Sequence, residues 1–554
     1  MIGLLARRTL GDRPRRTAML LLGLGIAVGV MITLLSIGDA VLEQSRDKDI
    51  VGGGDLVLLP AGIDVEVMKV GGVTGMYFTL DNARYIFRQV LSGPRFASKV
   101  AAVTPDFADL PLAAASPALV DKVVYVRKAG VGAAGVEVDA NTRRGATAGA
   151  SPAGAAEPVQ ALAHGFIPSL DAAAGGPTAR FASQGIEWKD SEADRHWADP
   201  PMDVLYNELD RFHLPASGQA DIERWGEWLY FNFTDPVTDT FGYVSYIVGN
   251  DIAAGAGRAA PLLQIQSPGV PPRKFDTDMP VSQDDVSLSR VDLRFGAHTT
   301  AQFRDGSWQL RLGWETDAGP VRGTLTVTPV RDLYFPPVVI HESERFVSGY
   351  TVPAVRAHVS GVITAPGVQL ELRDAPGYHD HNWGTWRNVH WDWGTSSTDE
   401  YALLYGRVLH AEIPSGQSGP ALFLMLSRAR TADARGGLLG LFRPTEITYE
   451  WQDSNGLPGD PTQLPTRITI VAECDGHPVG AVAASDPDRI HVVIDVTHVA
   501  STPPNEANDA ASRLVFLQAR GAYHVTARIA GNEVRFDAPG FSEVFVTSNP
   551  SAIQ

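Results

Sequence analysis

The sequence predicts a mainly β protein: antiparallel strands gathered into two tandem sandwich- or barrel-like domains, preceded by one transmembrane helix. Three observations carry this. From about Ile186 onward apolar residues recur with period two, Gly, Asp, Asn and Pro punctuate these runs, and near the N-terminus the segment Thr17–Gly38 holds 22 residues without a charge. The 554 residues include 46 Lys+Arg against 63 Asp+Glu, a formal net charge of −17. With no Lys/Arg-rich run, the chain lacks the clustered cations that nucleic-acid phosphates require. Its single cysteine, Cys474, excludes an intrachain disulfide and any Cys-based metal cluster.

At about 1.5 Å of rise per residue, the Thr17–Gly38 stretch is long enough for the roughly 30 Å of a bilayer core. Arg7, Arg8, Arg13, Arg15 and Arg16 precede it, while Asp39, Glu43, Arg46, Asp47, Lys48 and Asp49 follow. The positive-inside bias places residues 1–16 in the cytoplasm and the bulk of the chain outside, so the expected location is a single-pass membrane protein with a periplasmic body. Gly38-Asp39-Ala40 loosely imitates a signal-peptidase site, but a 22-residue apolar stretch exceeds the h-region of a cleaved signal. Retention as an anchor is the reading adopted.

The runs Gly54–Pro60, Gly71–Phe78 and Val103–Asp106 resemble the start of an ABC-transporter permease of the MacB/FtsX type, in which one membrane helix leads into an extracytoplasmic domain. The resemblance covers residues 1–128 and assigns 39–128 to a small extracytoplasmic segment. No further hydrophobic span follows, so it implies an anchor and ABC-transporter subunits as partners rather than transport itself. Between Asn141 and Arg180, 22 of 40 residues are Ala, Gly or Pro. Such a stretch buries too little surface to offset its ordering entropy, which predicts a linker over 129–185.

The remaining chain reads as strands. Trp308, Leu310, Leu312 and Trp314 alternate after the turn pair Asp305-Gly306; Val368, Leu370 and Leu372 alternate; so do Val492, Ile494 and Val496, and then Tyr523, Val525, Ala527 and Ile529. The best helix candidate is short, Met202–Phe212. Residues 186–554 exceed one small barrel, which predicts β domains over 186–385 and 386–554.

Chemistry concentrates in Ala375–Gly394, where Tyr378, His379, Asp380, His381, Asn382, Trp383, Trp386, His390, Trp391, Asp392 and Trp393 fall within a few residues. On a strand, Tyr378, Asp380 and Asn382 share one face, and His379, His381 and Trp383 the other. Three readings compete. Asp380 can be a general acid, kept protonated by an apolar aromatic pocket, with Tyr378 beside it and Trp faces stabilising a developing cation. His379 and His381, with His390 or Asp392, can bind a metal. The same residues can also form a buried polar network tying sheets together.

The octapeptide Gly377–Gly384 resembles the hallmark of the carotenoid 1,2-hydratase (hydroxyneurosporene synthase) and AttH-like lipocalin superfamily. Glu227-Trp228-Leu229-Tyr230-Phe231, Ser348–Pro353, Val359-Ser360-Gly361 and Gly540-Phe541-Ser542-Glu543 are similar to its other motifs and stand in the same order, so the resemblance spans residues 186–549. It implies two tandem lipocalin-like β-barrels and an apolar ligand, a lipid or isoprenoid, handled without cofactor or metal. By matching, it makes Tyr378 and Asp380 the catalytic pair; beside them His381 is a catalytic candidate, and His379, Trp383, Trp386, Trp391, Trp393, Trp228 and Tyr230 are ligand-binding candidates. The hydratases' upstream His-x-Trp element is absent, since the matching stretch reads Tyr350-Thr351-Val352-Pro353. Two functions follow from the resemblance: a membrane-anchored binder of a hydrophobic molecule beside an ABC exporter, or a cofactor-free hydratase, isomerase or cyclase with Asp380 as acid.

Overall fold

The structure, a computed structural model, describes residues 84–85, 118–128, 136–139 and 159–173, parts of 178–215, and, with gaps, residues 222–548. The Thr17–Gly38 span lies outside the described residues. Among the described residues no helix is long and apolar enough to cross a membrane.

The chain divides into two compact units, residues 1–79 with 111–194, and residues 80–110 with 195–554. In the first, β1 (Ala118–Lys128) is flanked by β2 (Val136–Asp139) and β3 (Val159–Phe166) in a three-stranded antiparallel sheet, followed by the short helix α1 (Pro168–Ala173). Two short strands thus lie within residues 129–185, where the composition predicts a linker. Counting Ala, Gly and Pro passed over the short runs Val136–Asp139 and Val159–Phe166, which need only a partner strand to satisfy their backbone groups.

The second unit carries the long strands. After α2 (Glu192–Ala198) and α3 (Met202–Leu209) come β4 (Trp225–Asp235), β5 (Thr240–Gly249), β6 (Gly257–Gln266), β7 (Arg273–Asp276) and β8 (Met279–Val281). Then follow β9 (Asp292–Phe295), β10 (Thr299–Arg304), β11 (Ser307–Thr316), β12 (Gly319–Pro329), β13 (Phe335–Ser343), β14 (Phe346–Ala365) and β15 (Val368–Thr385). These form one 12-stranded antiparallel sheet in the order β7-β6-β5-β4-β15-β14-β12-β11-β10-β9, with β13 on β14 and β8 on β6. Among the described residues β7 and β9 at the two ends of this path do not pair, so the sheet over 186–385 is not closed into the expected barrel. The reason lies in β14: its first half pairs with β13, its second half with β12, and β-bulges at Thr351/Ala354, Ala354/Ala357 and Val359/Gly361 bend it between.

One core fills the sheet's inner face. Leu205, Tyr206 and Leu209 of α3 are buried in it, with Tyr206 stacked on Phe303 at 5.1 Å and edge-on to Trp308 at 5.3 Å. Tyr85, from the segment read as an extracytoplasmic domain, packs edge-on against Tyr334 at 5.5 Å, and Arg84 donates to the Trp197 carbonyl at 2.9 Å. That part of 39–128 belongs to the β body.

The rest of the unit closes on itself. β16 (Val389–Ser397), β17 (Tyr401–His410), β18 (Ala421–Arg428), β19 (Gly437–Trp451), β20 (Pro465–Cys474), β21 (Asp488–Thr502), β22 (Arg513–Ile529) and β23 (Asn532–Ser548) make an eight-stranded antiparallel barrel, closed by β16 pairing with β23. Leu403, Ile468, Ile470, Val492, Ile494 and Val525 fill its interior. A third cluster joins the barrel's outer face to the sheet: Phe541 stacks on Phe241 at 4.3 Å, and Phe423 on Phe335 at 4.6 Å.

Gly361 marks the sharpest backbone demand in β14. Its φ of +144° suits glycine, and a Cβ there would collide with the Thr324 carbonyl oxygen of β12. Gly361→Ala should destabilise the chain by about 2 kcal/mol or more, against about 1 kcal/mol for Gly255→Ala, where φ is +76° but nothing lies within 4 Å. Urea midpoints at unchanged slope check this; equal costs would show that the β14 bend has slack.

Candidate functional site

The strand β15 presents its two faces to different neighbourhoods. His379, His381 and Trp383 turn into the sheet's core, where Asp210, the residue ending α3, meets them. His379 Nε2 lies 2.9 Å from Asp210 Oδ2, and its Nδ1 lies 3.0 Å from the Tyr230 carbonyl oxygen. His381 Nδ1 donates to Asp210 Oδ1 at 2.9 Å and its Nε2 to Glu227 Oε1 at 2.7 Å. The Trp308 indole donates to Asp210 Oδ2 at 2.7 Å, and the His213 backbone N–H to both oxygens of Glu227. The Phe231 ring stacks on His379 at 3.9 Å and His213 on Trp383 at 3.7 Å. Both carboxyls and both β15 histidines are sealed from water.

Burial alone would push Asp210 up. The charges and hydrogen bonds of His379 and His381 outweigh it and bring the carboxyl down to about 2. Burial would likewise push His381 down, but hydrogen bonds to Asp210 and Glu227 carry it up to about 9. The imidazolium therefore sits between two carboxylates. His213, Glu227 and His381 bring one ligand-type atom each within 4.8 Å of one another, and could hold a metal. Their hydrogen bonds satisfy them without one, and a cation would have to displace the proton of His381.

Tyr378, Asp380 and Asn382 occupy the other face, toward the barrel. Across the ladder Asp380 stands opposite Tyr230 of β4 and Asn382 opposite Trp228, while on the β14 side Asn382 stands opposite Tyr350. The Tyr378 hydroxyl donates to Asp380 Oδ2 at 2.9 Å, and Asn382 Nδ2 to Oδ1 at 3.1 Å. The Tyr350 and Tyr378 hydroxyls share a hydrogen bond of 3.0 Å, and the Trp393 indole, from barrel strand β16, donates to both at 3.0 and 3.2 Å. Tyr230 faces Tyr378 and Trp393 edge-on, with centroids at 6.4 and 6.0 Å.

Asp380 is 5% exposed. Its burial, the largest influence, pushes the carboxyl well above the usual carboxylate range; the Tyr378 hydroxyl opposes this, and the charge of Glu543 reinforces it. A neutral carboxylic acid among aromatic rings can give a proton to a weakly basic carbon and be restabilised by Tyr378 and Asn382 once ionised.

The residues singled out by sequence thus divide. Asp380, Tyr378, Trp228, Tyr230 and Trp393 meet on the barrel-facing side; His379, His381 and Trp383 lie on the opposite one; Trp391 is half-buried beside Glu543; Trp386 lies outside the described residues. Asp392, weighed as a metal ligand, turns into the barrel, where Arg407 Nε donates to it at 2.5 Å. Sequence reasoning missed Asp210, Trp308, Tyr350 and Glu543 as site residues. Glu543 and Tyr350 stood inside quoted motifs, and Asp210 lay inside the helix candidate Met202–Phe212, which the structure ends at Leu209.

No family of known sequences matches the chain, and no curated protein matches it. Among solved structures, kievitone hydratase from Nectria haematococca is similar at 11% identity and a TM-score of 0.36, over 62% of this chain and 94% of its own. A putative AttH protein from Nitrosomonas europaea is similar at 12% identity and a TM-score of 0.34, over 60% and 97%. CghA with Sch210972 is similar at 11% identity and a TM-score of 0.38, over 62% and 95%.

The Asp210 network fixes a pH window. Asp210 contributes fully above about 3.8 and loses its contribution as pH falls through about 2; His381, raised in the folded state, contributes fully below about 6.5 and loses it as pH rises through about 9. Between these limits Asp210→Asn should cost about 3 kcal/mol, since it leaves buried donors facing a neutral amide. Melting curves across pH check the alkaline limb, which should flatten in His381→Gln; an unchanged limb would show that His381 is not the titrating group.

Proposed function

We propose that the chain binds an apolar, unsaturated small molecule where sheet meets barrel, and that Asp380 protonates it without a cofactor, in a hydration, isomerisation or cyclisation. The observation that carries this reading is a buried carboxyl, pushed by its burial well above the usual carboxylate range, bonded to Tyr378, which in turn bonds Tyr350 and Trp393. The Asp380 O–H bond breaks as its proton joins one carbon of a double bond, and positive charge develops on the neighbouring carbon. The faces of Trp393 and Tyr230 supply the negative quadrupole such a charge needs. Tyr378 and Asn382 then hold the carboxylate, so the barrier falls where charge forms rather than where substrate binds. His381 serves by position: locked between Asp210 and Glu227, it keeps β15 in the register that aims Asp380 outward.

A holding role is the second reading, favoured by the half-buried rings of Trp228, Tyr350, Trp391 and Phe423, which rim the seam with apolar surface. In that case two lipocalin-like domains would carry a lipid or isoprenoid, with Thr17–Gly38 as membrane anchor and residues 39–128 toward an ABC exporter.

Mass spectrometry of small molecules co-purified with the full chain, followed by incubation in deuterated water, separates the two. Deuterium should enter a C–H position with the wild type and not with Asp380→Asn, whose melting temperature should stay close to the parent because the amide keeps shape and hydrogen-bonding atoms. A bound molecule that never takes up deuterium, together with strong destabilisation by Asp380→Asn, would leave the holding role.

A further inference from the structure

Glu543 belongs to the barrel, and its placement is built. On β23 it stands opposite Trp393 of β16 and opposite Gln518 of β22, so these three side chains share the barrel's outer face. That face puts the Trp393 ring 4.9 Å from Tyr378. From Glu543 a polar chain crosses to the sheet: Gln518 Nε2 donates to Glu543 Oε1 at 3.0 Å, Gln264 Nε2 donates to Gln518 Oε1, and the Tyr243 hydroxyl donates to Gln264 Oε1 at 3.1 Å. The Tyr243 ring lies 5.0 Å from Tyr230, the residue opposite Asp380. Two carboxyls thus border one aromatic cluster, Asp380 from the sheet and Glu543 from the barrel. Asp380 is buried, whereas Glu543, Trp391 and Tyr350 keep partial exposure.

We propose that Glu543 is the proton acceptor of this site, acting opposite Asp380; the inference rests on the acid reading of Asp380 given above. In a hydration, Asp380 gives its proton to one alkene carbon, a water oxygen bonds to the cationic carbon, and the departing water proton goes to Glu543. In an isomerisation or cyclisation that ends by losing a proton, the C–H bond breaks toward Glu543 instead. Either way the turnover leaves Asp380 ionised and Glu543 protonated, and exchange with water, which Glu543 reaches at the rim, restores both.

The electrostatics suit the division. Burial is the largest influence on Glu543 and moves it up to about 7, with hydrogen bonds from Gln518 and Trp391 pulling the other way. The titratable groups facing it are Asp380, Tyr230, Tyr243 and Tyr350, whose tyrosines burial pushes further from ionisation. Among the described residues no cation is paired with it. One carboxyl pushed well above the usual range and a second moved up to about 7 suit an acid–base pair.

A cationic amphiphile reads this charge without knowledge of the substrate. N,N-dimethyldodecylamine, an alkyl tail bearing a positive head, imitates the cation; 2-methyltetradecane is its neutral counterpart. With the full-length wild type, amine affinity relative to the alkane should rise about tenfold from about pH 6 to about pH 8, the ratio of ionised fractions one unit either side of the midpoint. Glu543→Gln should abolish that rise. Gln518→Met, which removes a bond favouring the ionised form, should shift the midpoint upward, and the midpoint should persist in Asp380→Asn. A wild type with no pH-dependent preference, or a rise that survives Glu543→Gln, would overturn the assignment of Glu543 alone. A rise lost in Asp380→Asn but kept in Glu543→Gln would place the charge on Asp380 and overturn both assignments.

Discussion

Asp210 gripping two histidines is the constraint from which the site follows. A strand's side chains alternate, so pinning His379 and His381 to the core fixes Tyr378, Asp380 and Asn382 on the other side. A slip of one residue would bury the acid in the sheet and turn the histidines toward the barrel. The network that prevents this is closed on every side: the Asp210 carboxylate, the Tyr230 carbonyl and Glu227 accept from the histidines, and the Trp308 indole donates to Asp210. Removing one partner leaves a buried charge unmatched, which is why such networks specify position more than they add net stability.

The proposed chemistry needs the second domain as much as the register. Burial pushes the Asp380 carboxyl up, and Trp393, Met425 and Phe541 of the barrel share a buried cluster with its neighbours Tyr230 and Tyr378. A sheet without the barrel would hydrate the carboxyl and return it toward the ordinary range. In the proposed reaction the seam is therefore both a packing interface and the source of the low dielectric that favours a protonated Asp380. Its bonds are of mixed kind: stacked Phe pairs give area, and the Gln264–Gln518 contact fixes orientation.

Part of this was legible in the sequence. Period-two alternation separated Tyr378 and Asp380 from His379 and His381 before any fold was known, because that separation depends only on backbone geometry. The partners of these residues were not legible. Asp210 is far from β15 in sequence, and nothing local marks a carboxylate at a helix end as the bond partner of a distant strand. Glu543 was visible as part of a motif, but its opposite number across two domains was not. The open sheet escaped because bulges in β14 do not disturb alternation enough to be read from residue types. β2 and β3 escaped because a composition count averages away four- and eight-residue strands.

The barrel is closed by its first and last strands, and this has a consequence for synthesis. The chain emerges at roughly 5–20 residues per second, so six strands appear while β16 still shows an unpaired edge. A free edge recruits other chains. Phe541 and Glu543 ride on the strand that ends this exposure, so the nascent chain acquires its last seam contacts in the same event that removes its most adhesive surface. A ribosome that stops short of β23 releases a product lacking both, with an unpaired β16 edge that the full-length barrel does not have.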